Sequence, residues 1–236
     1  MLWYYPSSMG WTAAAKRFNW HKHTDSPPIR AGTKPPPGGG SSALRDHLLH
    51  MAEADRRLRQ QLALSGELFA GYHPDMRTLH EANARELELA VDDEGWPNIH
   101  ETGEDGVEAA FLIALHAISR PAFQRRCLTL MKSAANRGDI PARHPAMLED
   151  RIRAFEGRPQ LYGTQLDWDD DGHLMPLPIE NEGDVDSRRA KVGLPPLSQT
   201  VAESEAQARQ QGQHPPAEWL HRQHAMAAFA HEVGWR

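Results

Sequence analysis

Cysteine is almost missing from this 236-residue chain: Cys127 is the single one. That excludes an internal disulfide framework and any Cys-rich zinc site. Long hydrophobic runs are missing too. The longest, Val107 to Ile118, carries Glu108 and His116 and falls short of the roughly 18–20 residues that cross a bilayer. Basic residues do not dominate: 26 Lys+Arg stand against 32 Asp+Glu, a net charge of −6, which argues against a nucleic-acid binder. The nucleotide fingerprints G-x-G-x-x-G and G-x-x-x-x-G-K-[ST] are absent, as are the G-x-S-x-G elbow and the H-E-x-x-H zinc pattern. Dinucleotide- and ATP-dependent chemistry of the usual kinds is thereby disfavoured, and no organic cofactor is expected. What remains, 39% hydrophobic and 25% charged residues at a mean hydropathy of −0.65, suits one soluble globular domain with flexible ends.

Charge is unevenly spread. Lys16, Arg17, Lys22, Arg30, Lys34 and Arg45 against Asp25 give the first 45 residues +5, leaving −11 for the rest. Pro27-Pro28, Pro35-Pro36-Pro37 and the Gly38–Ser42 run read as a linker that holds neither helix nor strand. The aromatic segment before it lacks the continuous apolar core of a secretory signal. Residues 1–41 are therefore expected to be a flexible arm, and the protein to be cytoplasmic without a membrane segment.

From Ser42 the pattern is helical. Leu44, Leu48, Met51, Ala52, Leu58, Leu62 and Leu64 form a stripe ending near Ser65-Gly66, and Met76, Leu79, Ala82, Leu87 and Val91 repeat at helical spacing until Gly95-Trp96-Pro97. Helices are expected from about Glu104 to Ile118, apolar on every face and so central, from Pro121 to Asn136, and from Pro145 to Phe155. A β-hairpin is expected at about 160–178 around an acidic Gly-containing turn. Short helices follow through Val192 and from Leu197. A last amphipathic helix, Pro216 to Val233, either covers the domain or mediates dimerisation. The fold expectation is mainly α, one helical domain over about 42–200 with one hairpin, and a helical extension over 201–236.

Several blocks between Leu48 and Leu197 carry a family resemblance. They are Gly95-Trp96-Pro97, Gly103-Glu104-Asp105-Gly106, His116-Ala117, Pro121-Ala122-Phe123-Gln124, Cys127-Leu128, Leu148-Glu149-Asp150-Arg151, Glu156-Gly157-Arg158-Pro159-Gln160, Tyr162-Gly163-Thr164-Gln165, Val185-Asp186-Ser187-Arg188-Arg189 and Val192-Gly193-Leu194. In this order they resemble a bacterial family known as a domain of unknown function. The resemblance implies no activity. Members tend to carry an Asp-Gln pair in the first helix, where this chain has Asp55-Arg56. They tend to have Gln before the His and acids after it, where this chain has Leu115 and Ile118-Ser119-Arg120.

His116 is the leading candidate for chemistry, because an imidazole near the end of the most apolar helix needs a partner. Beside carboxylates it can act as general base or acid; bonded to a backbone carbonyl it is structural. Glu149 and Asp150 are candidate orienting acids, with solvated ion pairs as the alternative. Tyr162 and Gln165, on a strand if the segment is extended, and Arg188 are candidate substrate contacts; their alternatives are a packed hairpin and a tie between helix and domain. Asp167, Asp169, Asp171 and Gly172 open like a calcium loop, but Pro178 stands where the bidentate Glu belongs. His47 with His50, and His221 with His224, are one turn apart, too few for a metal without a third ligand, so no metal ligand is assigned.

Two functions are expected from this reading. The first is a small enzyme acting on a polar small molecule or peptide by acid/base chemistry around His116, with these residues converging on one pocket. The second is a non-catalytic module binding a protein partner, or a second copy of itself, through the aromatic arm and the terminal helix, with Trp3, Trp11, Trp20, Trp219 and Phe229 exposed together.

Overall fold

The computed structural model describes residues 40–67, 71–169, 171–210 and 219–236, with backbone alone for 40–42 and 219. The arm, with Trp3, Trp11 and Trp20, lies outside the described residues apart from its last two positions. Those are helical: α1 spans Gly40–Ser65, so the helix starts inside the stretch expected to be linker. First-turn N–H groups have no intrahelical partner in any helix, so Gly-Ser there costs little. The fold is mainly α, as the periodicity indicates, and none of the described helices is long and apolar enough to cross a membrane.

Helix α2 runs Pro74–Glu94, with Pro at its first position and the His73 side chain accepting from Asp75 N. Helix α3, Ile99–His116, begins earlier than its apolar run because the Asn98 side chain caps Glu101 N. The first turn joins the main helix at Gly103, whose φ of 71° is left-handed, a conformation glycine adopts without strain. Helices α4, Pro121–Asn136, and α5, Arg143–Phe155, complete the bundle. α1 lies along α3, α2 packs on both, and α5 bridges α3 and α4. Ala110, Phe111, Ala114 and Leu115 of α3 are wholly or almost wholly buried, which is why its sequence is apolar all round.

The hairpin is shorter than expected. Strands β1, Leu166–Trp168, and β2, Leu174–Pro176, pair antiparallel in the register Leu166↔Pro176. Residues 160–165 form a loop instead, so Tyr162 and Gln165 do not alternate along a strand. The reason is Asp150: its carboxylate accepts the N–H groups of Leu161, Tyr162 and Thr164 and the Thr164 hydroxyl, which removes donors a strand neighbour would need. A 3₁₀ turn at Glu182–Asp184 leads into α6, Val185–Lys191, and then α7, Leu197–Gln210, which lies against β2.

The last helix, α8 (Trp219–Glu232), folds back on the bundle. Ala230 and Trp235 join the core. Phe155 stacks on Trp235 at 5.3 Å and meets Phe229 edge-on at 6.3 Å, and Arg222 pairs with the buried Asp167. Phe229 is half-buried against Tyr72 at 5.2 Å. The apolar side of α8 therefore covers the domain, the first of its two expected uses; the Trp219 side chain lies outside the described residues. Trp235→Ala removes a buried indole and the bond from its Nε1 to the Ile118 carbonyl, 2.7 Å. Urea unfolding is expected to show a loss of about 3–5 kcal/mol; a loss under about 1 kcal/mol would mean the terminal segment is not part of the core.

Candidate functional site

Helix α1 places an acid where its stripe calls for an apolar residue. Asp55 lies seven residues after Leu48 and seven before Leu62, both buried, and is itself only 3% exposed. His80 of α2 sits four residues after Met76 and four before Ala84, and is 1% exposed. His116 ends α3 at 5%. The packing of α1 and α2 against α3 thus brings three polar side chains from three helices together inside the bundle.

The convergence is on a single atom. His116 Nδ1 lies 2.8 Å from Asp55 Oδ2, and His80 Nε2 lies 2.8 Å from that same oxygen. The His80 contact is off line, so Nε2 is a buried nitrogen without a hydrogen bond. The other ring nitrogen of His80 meets the Tyr72 hydroxyl at 2.9 Å, and the two imidazoles are 5.0 Å apart between centroids. Burial works to raise the Asp55 pKa, but His116 and His80 more than reverse this and hold it well below the usual carboxylate value. Burial lowers His116 to about 4 against the pull of Asp55. At neutral pH the arrangement is an ionised carboxylate and a neutral His116. Its Nδ1–H then donates to Asp55, and the lone pair is at Nε2, which has no hydrogen bond among the described residues.

The end of α3 is held in place by donors to carbonyls that a helix terminus leaves free. Gln124 Nε2 donates to Ala114 O and Leu115 O at 2.7 and 3.0 Å. Arg151 Nη1 donates to Leu115 O at 3.0 Å, and Trp235 reaches Ile118 O. Three elements therefore fix the backbone that carries His116.

The residues expected to converge with His116 are placed otherwise. Its carboxylate partner is Asp55, not Glu149 or Asp150. Glu149 pairs with Lys132 at 2.8 Å at the edge between α4 and α5. Asp150 clasps the 160–165 loop, and burial raises its pKa against the pull of its donors. Arg188 is a strap, donating from Nε to Leu161 O and from Nη2 to Glu180 O. Gln165 Oε1 accepts from Arg151 Nε at 2.9 Å, which links the loop to the end of α3. The half-buried Tyr162 gives its N–H to Asp150, and its carbonyl accepts from Arg189. These side chains build the loop beside the cluster, and each takes its polar partners from groups other than His116. A cavity of about 260 Å³ opens between Phe155, Pro159, Leu177, Gln223, Met226 and Arg236; none of Asp55, His80 and His116 lines it.

Other candidates are structural. Burial raises the Cys127 thiol far above its ordinary value, which leaves it unreactive. In the acidic turn, Asp167 is bound by Arg222 and Gln223, and Asp169 accepts from His173 N. His50, His221 and His224 are not buried in the core, and His47 faces Glu86. Asp55 enters the sequence reading only through the family resemblance, and His80 and Tyr72 do not enter it at all. The signal that points to them is a polar residue on an apolar stripe, present at both 55 and 80.

A second buried pair makes stability pH-dependent. His144 Nε2 meets Glu108 Oε2 at 2.9 Å, and its ring stacks on Phe111 at 4.3 Å. Burial holds His144 below its ordinary 6.5. Burial pushes Glu108 up, but His144 and Arg143 bring it below its ordinary 4.5. As pH falls past about 6.5 the unfolded chain takes up a proton that native His144 refuses, and below about 4.5 it takes another that Glu108 refuses, so both terms weaken the fold in acid. The urea midpoint is expected to fall from pH 7 to pH 5, with a shallower slope in His144→Gln. A midpoint that is flat or rising over that range contradicts the burial of His144 as a neutral imidazole.

A family model described as a family of unknown function (DUF6624) matches residues 42–208. No curated protein and no solved structure matches the chain.

Proposed function

The chain belongs to that family, and we propose that it is an enzyme acting on a polar small molecule or peptide by acid/base chemistry at the Asp55–His80–His116 cluster, without an organic cofactor. One observation carries the reading: two imidazole nitrogens from different helices stand 2.8 Å from one buried carboxylate oxygen. A bundle needs no such group. Apolar side chains at 55, 80 and 116 would fill the same space without desolvating a charge, and buried acids with histidine partners are concentrated at working sites.

The roles follow from the geometry. Asp55 fixes the His116 tautomer and stabilises the imidazolium formed when Nε2 takes a proton. His80 and Tyr72 orient the carboxylate from the other side. Gln124 and Arg151 hold the helix end so that Nε2 keeps its direction. Chemistry at one histidine needs no nucleotide or flavin, in accord with the missing fingerprints. Incubating the full chain with pooled polar metabolites and short peptides, followed by mass spectrometry, is expected to show one class consumed by wild type and spared by His116→Asn. Consumption that is equal in both proteins, or absent in both, overturns the proposal.

A further inference from the structure

We infer that Asp55, His80 and His116 form a site for one divalent transition-metal ion of the zinc class. The inference rests on the reading of this cluster as the working site, and when the ion is bound its water takes the place of His116 Nε2 as the base. Each of the three side chains offers a ligand atom, and these atoms lie within 4.8 Å of one another. A second observation points to a cation independently. His80 Nε2 is fully enclosed, has no hydrogen bond, and lies 2.8 Å from Asp55 Oδ2. When Nδ1–H of His80 donates to Tyr72, the Nε2 lone pair confronts a carboxylate oxygen across that distance. A cation there takes the place of the proton that otherwise separates the nitrogen from the carboxylate oxygen, and bonds both.

The dimensions suit a small ion. Ligand atoms bonded at about 2.0–2.2 Å stand about 3.0–3.4 Å apart in cis-octahedral or tetrahedral geometry. The two 2.8 Å nitrogen–oxygen separations thus need to widen by only a few tenths of an ångström. The two nitrogens, within 4.8 Å of each other, need to come to the same spacing of about 3.0–3.4 Å. Two imidazoles and one carboxylate are a donor set of borderline softness, favouring zinc-class ions over calcium or magnesium. The Tyr72 hydroxyl on the far nitrogen of His80 is the kind of outer partner that fixes a ligating ring. The ion would also lie at the C-terminal end of α3, where the helix dipole favours positive charge. Three protein ligands leave a fourth position for water, whose pKa a zinc ion lowers to about 7. Binding balances by a shift of the one proton of neutral His116 from Nδ1 to Nε2, while Nε2 of His80 enters unprotonated.

The test uses the full chain stripped with chelator and titrated with Zn²⁺, then with Co²⁺ as a spectroscopic probe. A variant carrying His21→Gln, His23→Gln, His47→Gln, His50→Gln, His221→Gln and His224→Gln removes the histidines outside the cluster most able to bind adventitiously. The expected result is one ion per chain in both proteins. X-ray absorption of the Zn²⁺-loaded variant is expected to show two imidazoles and a carboxylate oxygen, and His80→Asn to bind at least about 100-fold more weakly. Should His80→Asn fail to fold, the absorption spectrum of the six-histidine variant still decides. No stoichiometric ion, fewer than two imidazoles, or binding lost with the outer histidines overturns the inference. Turnover that depends on His116 and survives full chelation overturns the metal and leaves the enzyme standing. A cluster-bound ion with no turnover of any substrate supports the metal and overturns the enzyme.

Discussion

Asp150→Ala is expected to lower stability by about 3–5 kcal/mol in urea unfolding, the largest single loss foreseen among the side chains that hold the 160–165 loop. The carboxylate accepts from Leu161 N at 2.7 Å, from Tyr162 N at 3.1 Å, and from Thr164 N and Oγ1 at 3.0 Å each. Alanine offers nothing in return. Each buried donor left without an acceptor costs about 1–3 kcal/mol, and partial rehydration of the loop keeps the total below the sum of four such terms. Asp150→Asn retains one carbonyl acceptor and is expected to lose about half as much. The readout also separates two roles for this acid. A loop clasp predicts lower stability with the His80 and His116 environment kept while the protein is folded. An orienting acid for His116 predicts the opposite pattern, little loss of stability and a direct change at the imidazole.

His116→Asn is expected to lower kcat/KM for the consumed substrate by about 10²–10⁴-fold, the usual contribution of a positioned acid/base group. The fold should tolerate the change, because the new side chain keeps a donor toward Asp55 and the α3 terminus is secured separately by Gln124, Arg151 and Trp235. Asp55→Asn is expected to reduce turnover while leaving the imidazole present, since an amide can present the wrong group to Nδ1 and cannot offset the imidazolium charge. Tyr72→Phe, which acts only through His80, is expected to have a smaller effect. An ordering in which Tyr72→Phe exceeds Asp55→Asn contradicts these roles.

The helices are legible because period and punctuation agree. Pro74 and Pro121 open α2 and α4, Gly95 closes α2, and the apolar stripes fall on the faces that the bundle buries. What the sequence conceals is pairing. Residues 160–165 have the composition of a strand, and only the position of Asp150, one helix away, shows why they form a loop. The site is half legible. His116 announces itself as an imidazole in the most apolar helix. Its partner lies 61 residues earlier, and the acids adjacent to the loop, Glu149 and Asp150, draw attention because they belong to the same dense block of motifs. Spacing along the chain carries no information on which of two acids crosses the bundle. The polar interruptions at 55 and 80 do carry it, since a carboxylate and an imidazole on buried stripes of neighbouring helices need each other.

The most direct measurement of the central claim is the ¹⁵N imidazole spectrum of histidine-labelled protein, treated with chelator and held at pH 7, with pooled polar metabolites and peptides added. The account predicts a neutral His116 with its proton on Nδ1 and an unprotonated Nε2, and predicts that one ligand class moves the resonances of His116 and His80 together. If the proton of His116 is on Nε2 and no class of ligand moves either ring, the cluster is a buried structural contact and the protein's work is done elsewhere.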